Sequence, residues 1–288
     1  QHGLREIDVF LVVLLTVCVL FLAGCTDQLR VEPENSLTFG NITKEKDVEA
    51  LVYGVGAGVR DMVCWNALLQ VEKGAYADEA DESRRGARML ELEAGTADLW
   101  EAWYQVIMGA ETVLSHVDVV EMPNERRQFY RGQAYFFKAL AYFDLIRRWG
   151  DCILQKGGIN WEPVAKTPWP KVCDFAIEMA EKAAEILPPF DKLTDCTGNT
   201  MFSKSTPCQG AAYALLAHLC AWKAGGKYFA AEVDRNYDEK ELWDMAEKAC
   251  TKVIESPLYD LVATPESLVH SGWMSVRLGR SLPSNPKV

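Results

Sequence analysis

Three features of the chain predict a mostly α-helical fold of stacked, tetratricopeptide-like helix pairs with long inserted loops. Apolar residues recur at spacings of three and four through most of its length, strand signals are few, and a unit of long helix, glycine stop, variable loop and shorter acidic helix occurs twice. At 288 residues, 49% hydrophobic and 25% charged, the chain is long enough for a substantial core.

The first helix is predicted over 43–62. The T-K-E-K start has capping character, and Val48, Leu51, Val52 and Val55 form an apolar face. The run Gly54–Gly58, G-V-G-A-G, invites a phosphate-loop reading. That reading fails because Val59 stands where a further glycine is needed and no strand precedes it, so the glycines are assigned to helix packing. A second helix is predicted over 100–119, with Trp100, Trp103, Ile107, Ala110 and Leu114 on one face. Pro123 and Asn124 punctuate it. The third, 125–149, carries aromatics on more than one face, which implies neighbours on several sides, and Gly150 supplies its stop. A loop rich in Gly, Pro and Trp follows over 151–170, then a helix over 175–187.

The repeat is read from two alignments. KALAYFDLIRRWG, ending at Gly150, matches ALLAHLCAWKAGG, ending at Gly226, and pairs Ala141 with Ala217. MAEKA at Met179–Ala183 recurs at Met245–Ala249. The spacings, 76 and 66 residues, exceed the roughly 34 of a plain tetratricopeptide unit, so inserted loops are implied.

The N-terminus has its own logic. Fourteen mostly apolar residues from Val9 to Leu22 are too few to span a bilayer, which takes roughly 20, and fit the core of a signal peptide. The preceding basic region is poor, since Glu6 and Asp8 offset Arg5. The step Leu22-Ala23-Gly24-Cys25 resembles a bacterial lipobox, which makes Cys25 the first residue of the mature protein and the attachment point of a lipid. The expected organisation is a lipoprotein signal peptide over 1–24, a polar surface tether over 25–42 and a helical domain over 43–288. Seven cysteines then remain, an odd number without C-x-x-C. One disulfide, Cys196 with Cys208, is conceivable across a polar loop, but a disulfide scaffold is not supported.

Composition and motifs exclude several functions. The net charge of −11 and the lack of a basic tract argue against nucleic acid as a partner. The four histidines show no metal-ligand spacing, and neither a nucleophile elbow nor a Walker loop occurs. The acids Asp78, Glu79, Asp81 and Glu82 raise calcium, but the glycine and distal glutamate of an EF-hand loop are missing, so a solvated loop is expected. No cofactor is expected beyond the lipid on Cys25. No particular carboxylate pair is marked for glycoside hydrolysis, and no catalytic residue is assigned. Nine tryptophans stand out. Trp65, Trp100, Trp103, Trp149, Trp222 and Trp243 fall in or beside helical patterns and read as core, as does His218. Trp161, Trp169 and Trp273 are the ones placed for stacking on sugar rings.

The stretches LAGCTDQLRVEPEN, KEKDVEALVYGV, LWEAWYQVIMGAETVL, RGQAYFFKALAYFDLIRRWGDCIL, AAYALLAHLCAWKAG and KVIESPLYDLV, in that order, resemble the SusD/RagB family of outer-membrane glycan-binding lipoproteins. The resemblance implies a lipid-anchored protein at the cell surface. It would capture oligosaccharide, without catalysis, for a TonB-dependent, SusC-like transporter. It also places Trp65, Asn66, Tyr76 and Asp78 in a region that can contribute ligand contacts. Family members run to about twice this length, and the final GWMSVRLGRSLPSNPKV departs from their continuation, so the chain is expected to be a truncated or frame-shifted member. Two other readings stand beside this one: a lipid-anchored scaffold for envelope proteins, and an envelope-anchored glycoside hydrolase.

Overall fold

The computed structural model describes residues 41–65, 97–155, 157, 162–201 and 205–261. The chain divides into two compact units, Gln1–Ile42 and Thr43–Val288. The described residues of the second unit form six α-helices: α1 Glu45–Trp65, α2 Ala97–His116, α3 Asn124–Trp149, α4 Trp169–Ile186, α5 Gln209–Gly225 and α6 Glu239–Ile254. Two isolated bridges, Cys152 with Thr167 and Thr194 with Thr200, are the extended pairings among those residues. The mostly α architecture is as the periodicity predicts.

Each helix packs against the next in the chain. Side-chain contacts show that they alternate in direction. Along α1 and α2, a Cβ on Gly109 would strike Val55, and one on Gly58 would meet Val106. Along α2 and α3, Trp100 meets Trp149 while Glu111 pairs with Lys138. Tyr142 of α3 meets Phe175 of α4, Lys223 of α5 pairs with Asp174 of α4, and Trp243 of α6 reaches Gly225 of α5. The result is three antiparallel hairpins, α1–α2, α3–α4 and α5–α6, stacked side by side. This is how short amphipathic helices bury faces that none could bury alone.

Local chemistry sets the ends. Asp47 reaches back to accept the Thr43 and Lys44 amides, at 3.1 and 2.9 Å, which closes the first turn of α1. Asp238 caps α6 through the Lys240 amide at 2.8 Å. Gly150 stops α3 in a left-handed conformation, φ 69°, which an L side chain rarely adopts. Its partner in the repeat behaves differently. Gly226 has an ordinary φ of −85°, and its small size matters instead, because a Cβ would lie 2.8 Å from the Trp222 carbonyl and 3.1 Å from the Trp169 ring. The repeat thus preserves the residue but not its reason.

The core is mostly Ala, Val, Leu and aromatic side chains, with Tyr130 and Tyr142 fully enclosed in α3. Two polar networks cross it. Lys138 and Glu111, only 3% and 5% exposed, pair between α3 and α2, and the ammonium lies 5.0 Å from the centre of the Phe175 ring. Arg126, near the start of α3, bonds Glu45 (2.6 Å) and Glu49 (3.2 Å) of α1 and donates to the Thr194 carbonyl (2.7 Å). Glu49 in turn accepts the Cys196 amide at 2.8 Å. One guanidinium therefore ties α1, α3 and the α4–α5 connection together.

Several expectations are corrected. Helix α4 starts at Trp169, earlier than 175, because the Asp151 carboxylate accepts the Trp169 amide (2.9 Å) and Pro170 suits the first turn. Trp169 is consequently 8% exposed and packed on Gly226, not open for stacking. Trp222 and Trp243, assigned to the core, are 41% and 49% exposed, and His218 is exposed as well. Periodicity misplaced them because α5 is apolar on more than one face and α6 buries only a narrow stripe, Leu242, Ala246 and Ala249. Cys196 and Cys208 are both free thiols, the first beside Glu49 and the second facing the Tyr259 hydroxyl at 3.2 Å. The suggested disulfide is not formed.

Candidate functional site: an aromatic end of the stack

The antiparallel register brings four pieces of chain to one end. Contacts of Val55 with Gly109 and of Gly58 with Val106, continued along the helices, set the backbone of Trp65 level with Leu99 and Trp100. The end of α3 and both ends of the 150–168 connection arrive at the same place. There the half-buried Trp100 ring meets Tyr104 at 5.1 Å and Trp149, edge-on, at 5.3 Å. Lys166 sits 5.2 Å from the centre of the Trp100 ring. Glu101 and Gln105 lie exposed on the same stretch of α2.

The connection is held at its neck. Asp151 is spent on the α4 cap, and Cys152 and Thr167 exchange backbone hydrogen bonds of 3.3 and 2.8 Å. Tyr104 Oη accepts the Ile153 amide and donates to the Ile153 carbonyl, both at 2.8 Å. Tyr142 Oη accepts the Gln155 amide at 2.9 Å and faces the Gln155 carbonyl at 3.4 Å. Burial pushes the Tyr104 and Tyr142 hydroxyls well above the ordinary tyrosine range, so both stay protonated and can donate. It also lifts the buried Cys152 thiol to about 12, which leaves it unreactive.

Partly exposed indole and phenol rings, an ammonium on a long flexible arm and exposed carboxylate and amide groups are what a sugar needs: apolar faces for its C–H surface and polar groups for its hydroxyls. Of the residues singled out from the sequence, Trp65 ends α1 at this place, whereas Asn66, Tyr76 and Asp78 lie outside the described residues. Cys25, Trp161, Trp273 and the acids at 78–82 also lie outside them. Trp100 and Trp149 are candidates at this end that the sequence pattern assigns to the core. Both follow the core pattern of their helices but stand at helix ends, where fewer neighbours cover them, and the signal for that was the Gly150 stop immediately after Trp149.

Comparison with known proteins places the fold. A family of SusD-like proteins described as starch-binding and associating with the outer membrane matches residues 70–220, just over half of the chain. The chain belongs to the SusD-like family. A relative, SusD-like protein P2 of Formosa agariphila, is 26% identical over 216 residues, which cover 70% of this chain but 41% of that protein. A SusD homolog from Bacteroides thetaiotaomicron shares the fold with a TM-score of 0.59 at 16% identity, over 84% of this chain and 45% of that one. A laminarin-binding SusD-like protein does so with a TM-score of 0.61 at 18% identity, over 83% and 50%. The chain thus spans half or less of the length of these SusD-like relatives.

Proposed function

We propose that this chain belongs to a cell-surface lipoprotein that binds oligosaccharide at the aromatic end and passes it, uncleaved, to a TonB-dependent, SusC-like transporter. The observation that carries the reading is the half-exposed Trp100–Tyr104–Trp149 cluster with Lys166, at the end where α1 delivers Trp65, in a chain of this family. The descriptions of its relatives, starch-binding and laminarin-binding, support a glycan as the ligand class. In this reading Trp65 at the end of α1 and Asn66, Tyr76 and Asp78 in the chain between α1 and α2 add contacts, and Cys25 carries the lipid that holds the protein to the outer membrane.

Affinity electrophoresis in gels containing laminarin, starch or other polysaccharides tests the central part. Retardation of the folded protein by at least one of them is expected. Incorporation of a fatty-acid label into the wild type but not into Cys25→Ser tests the anchor, and co-purification with a SusC-like barrel tests the delivery step.

A second reading, a lipid-anchored scaffold for envelope proteins, draws on a different place. The α5–α6 connection presents Tyr228, Phe229 and Val233 to solvent, with Phe229 88% exposed, and exposed apolar clusters commonly mark protein contacts. Absence of retardation across a broad glycan panel, with helical circular dichroism intact, favours the scaffold. Release of reducing sugar favours a hydrolase and overturns both.

A further inference from the structure

Residues 152–155 carry hydrogen bonds on two edges, as a strand inside a sheet does. Cys152 pairs with Thr167 on one edge through backbone bonds in both directions. Ile153 and Gln155, two residues apart, present their amides and carbonyls on the other edge, the alternation that extended backbone imposes. No strand lies there among the described residues. The Tyr104 hydroxyl takes its place opposite Ile153, accepting from N–H and donating to C=O, and the Tyr142 hydroxyl does so opposite Gln155. Each hydroxyl thus reproduces the exchange that one residue of a neighbouring antiparallel strand would make.

The two tyrosines come from different helices and are themselves fixed. Tyr142 is fully buried in α3 with its ring edge-on to Phe175 at 5.6 Å. Tyr104 is on α2, and its ring lies against Trp100 at 5.1 Å. Tyr104 therefore touches the stacking platform with its ring and the neck of the 150–168 connection with its hydroxyl. The same connection returns Lys166 to the face of Trp100.

We propose that Tyr104 and Tyr142 are positioning residues for the aromatic end, their hydroxyls substituting for a strand along the Ile153–Gln155 edge and so holding the connection, and Lys166 with it, against Trp100. The role rests on the reading of that end as a glycan site. Without the hydroxyls the neck retains its Thr167 pairing but loses its outer edge, so the binding-competent arrangement is populated for a smaller fraction of the time and apparent affinity falls in proportion. Because a phenylalanine ring keeps the packing on Trp100 and Phe175, the loss is confined to the hydrogen bonds.

The test compares Tyr104→Phe, Tyr142→Phe and a control, Tyr130→Phe. The control removes another enclosed hydroxyl, one that serves the Arg126 network and not this connection. Hydrogen exchange by mass spectrometry follows the peptide that contains Ile153 and Gln155, and affinity electrophoresis follows retention by whichever polysaccharide holds the wild type. Expected are faster exchange in that peptide and roughly threefold to tenfold weaker retention for each of the first two variants, from the loss of one or two hydrogen bonds. The control should leave both readouts unchanged even where it lowers the unfolding midpoint. Unchanged exchange in Tyr104→Phe and Tyr142→Phe overturns the clamp. Faster exchange with unaltered retention overturns its role in positioning. A wild type retained by no polysaccharide overturns the glycan reading, and the positioning role with it, a failure distinguished by appearing before any substitution is made.

Discussion

The indole of Trp149 meets that of Trp100 edge-to-face, centroids 5.3 Å apart and planes at 88°, joining the last turn of α3 to the first turn of α2. Such a pair is worth about 0.5–1.5 kcal/mol beyond its buried area, and here it also sets the angle at which the Trp100 face is presented. Trp149→Ala should therefore lower stability by about 2 kcal/mol in chemical denaturation, since both rings are only partly buried. It should also weaken glycan retention while leaving circular dichroism unchanged.

The Lys138–Glu111 pair crosses from α3 to α2 with both side chains nearly inaccessible. Removing one partner strands a charge in a medium that solvates it poorly. Lys138→Met should cost about 3–5 kcal/mol in urea unfolding, and pairing it with Glu111→Leu should recover much of that loss, because the second change removes the orphaned carboxylate. A double variant no more stable than Lys138→Met would show that the pair does more than balance charge.

Asp195 is only half-buried, and its carboxylate is held at about 2, below the ordinary 3.8, chiefly by the Thr197 hydroxyl and also by the Asn199 and Thr197 amides. A carboxylate depressed in the folded state adds stability that is complete above its unfolded value and fades as pH falls through the folded one. The contribution should therefore be present above about pH 4 and lost between 4 and 2. Thermal unfolding of the wild type and Asp195→Asn should differ at pH 6 and converge near pH 2, and carbon-detected titration should place the group near 2.

Thiol reactivity should follow position. Cys250 is exposed on α6, whereas burial pushes Cys152 and Cys220 up to about 12 and Cys173 higher still. A hydrogen bond to Glu49 lifts Cys196 to about 11. Among the described cysteines, iodoacetamide on the folded protein should label Cys250 first and leave Cys152, Cys173 and Cys220 unmodified until urea is added. Both Cys196 and Cys208 should be alkylated in urea without prior reduction, consistent with free thiols.

Helix order and pairing were legible because they depend on periodicity and stops. The third helix and Gly150 were placed to within a residue, and two of the three glycines of α1 proved to be packing positions, Gly56 against Phe137 and Gly58 against Val106, whereas a Cβ on Gly54 would meet nothing within 4 Å. What periodicity could not reveal was which apolar residues lacked a neighbour. Trp222 and Trp243 repeat at core spacing but face outward, because exposure depends on how many helices surround a given one. Trp169 was misjudged for the opposite reason: a distant carboxylate, Asp151, extends its helix and turns it inward. The two tyrosine clamps were invisible in sequence, since each joins residues that only the fold brings together. Trp65 emerged from the resemblance, and its register with Trp100 emerged from the antiparallel packing of α1 on α2.

The claim that this aromatic end binds glycan is tested most directly by the affinity of Trp100→Ala. The purified protein and this variant are run side by side in gels containing the polysaccharide that retards the wild type most, with circular dichroism as the check on folding. Loss of one stacking platform should weaken retention by roughly twofold to tenfold, in line with the roughly 0.5–1.5 kcal/mol that an aromatic contact contributes, with helicity unchanged. A folded Trp100→Ala variant retained as strongly as the wild type would contradict the account and move the glycan site elsewhere.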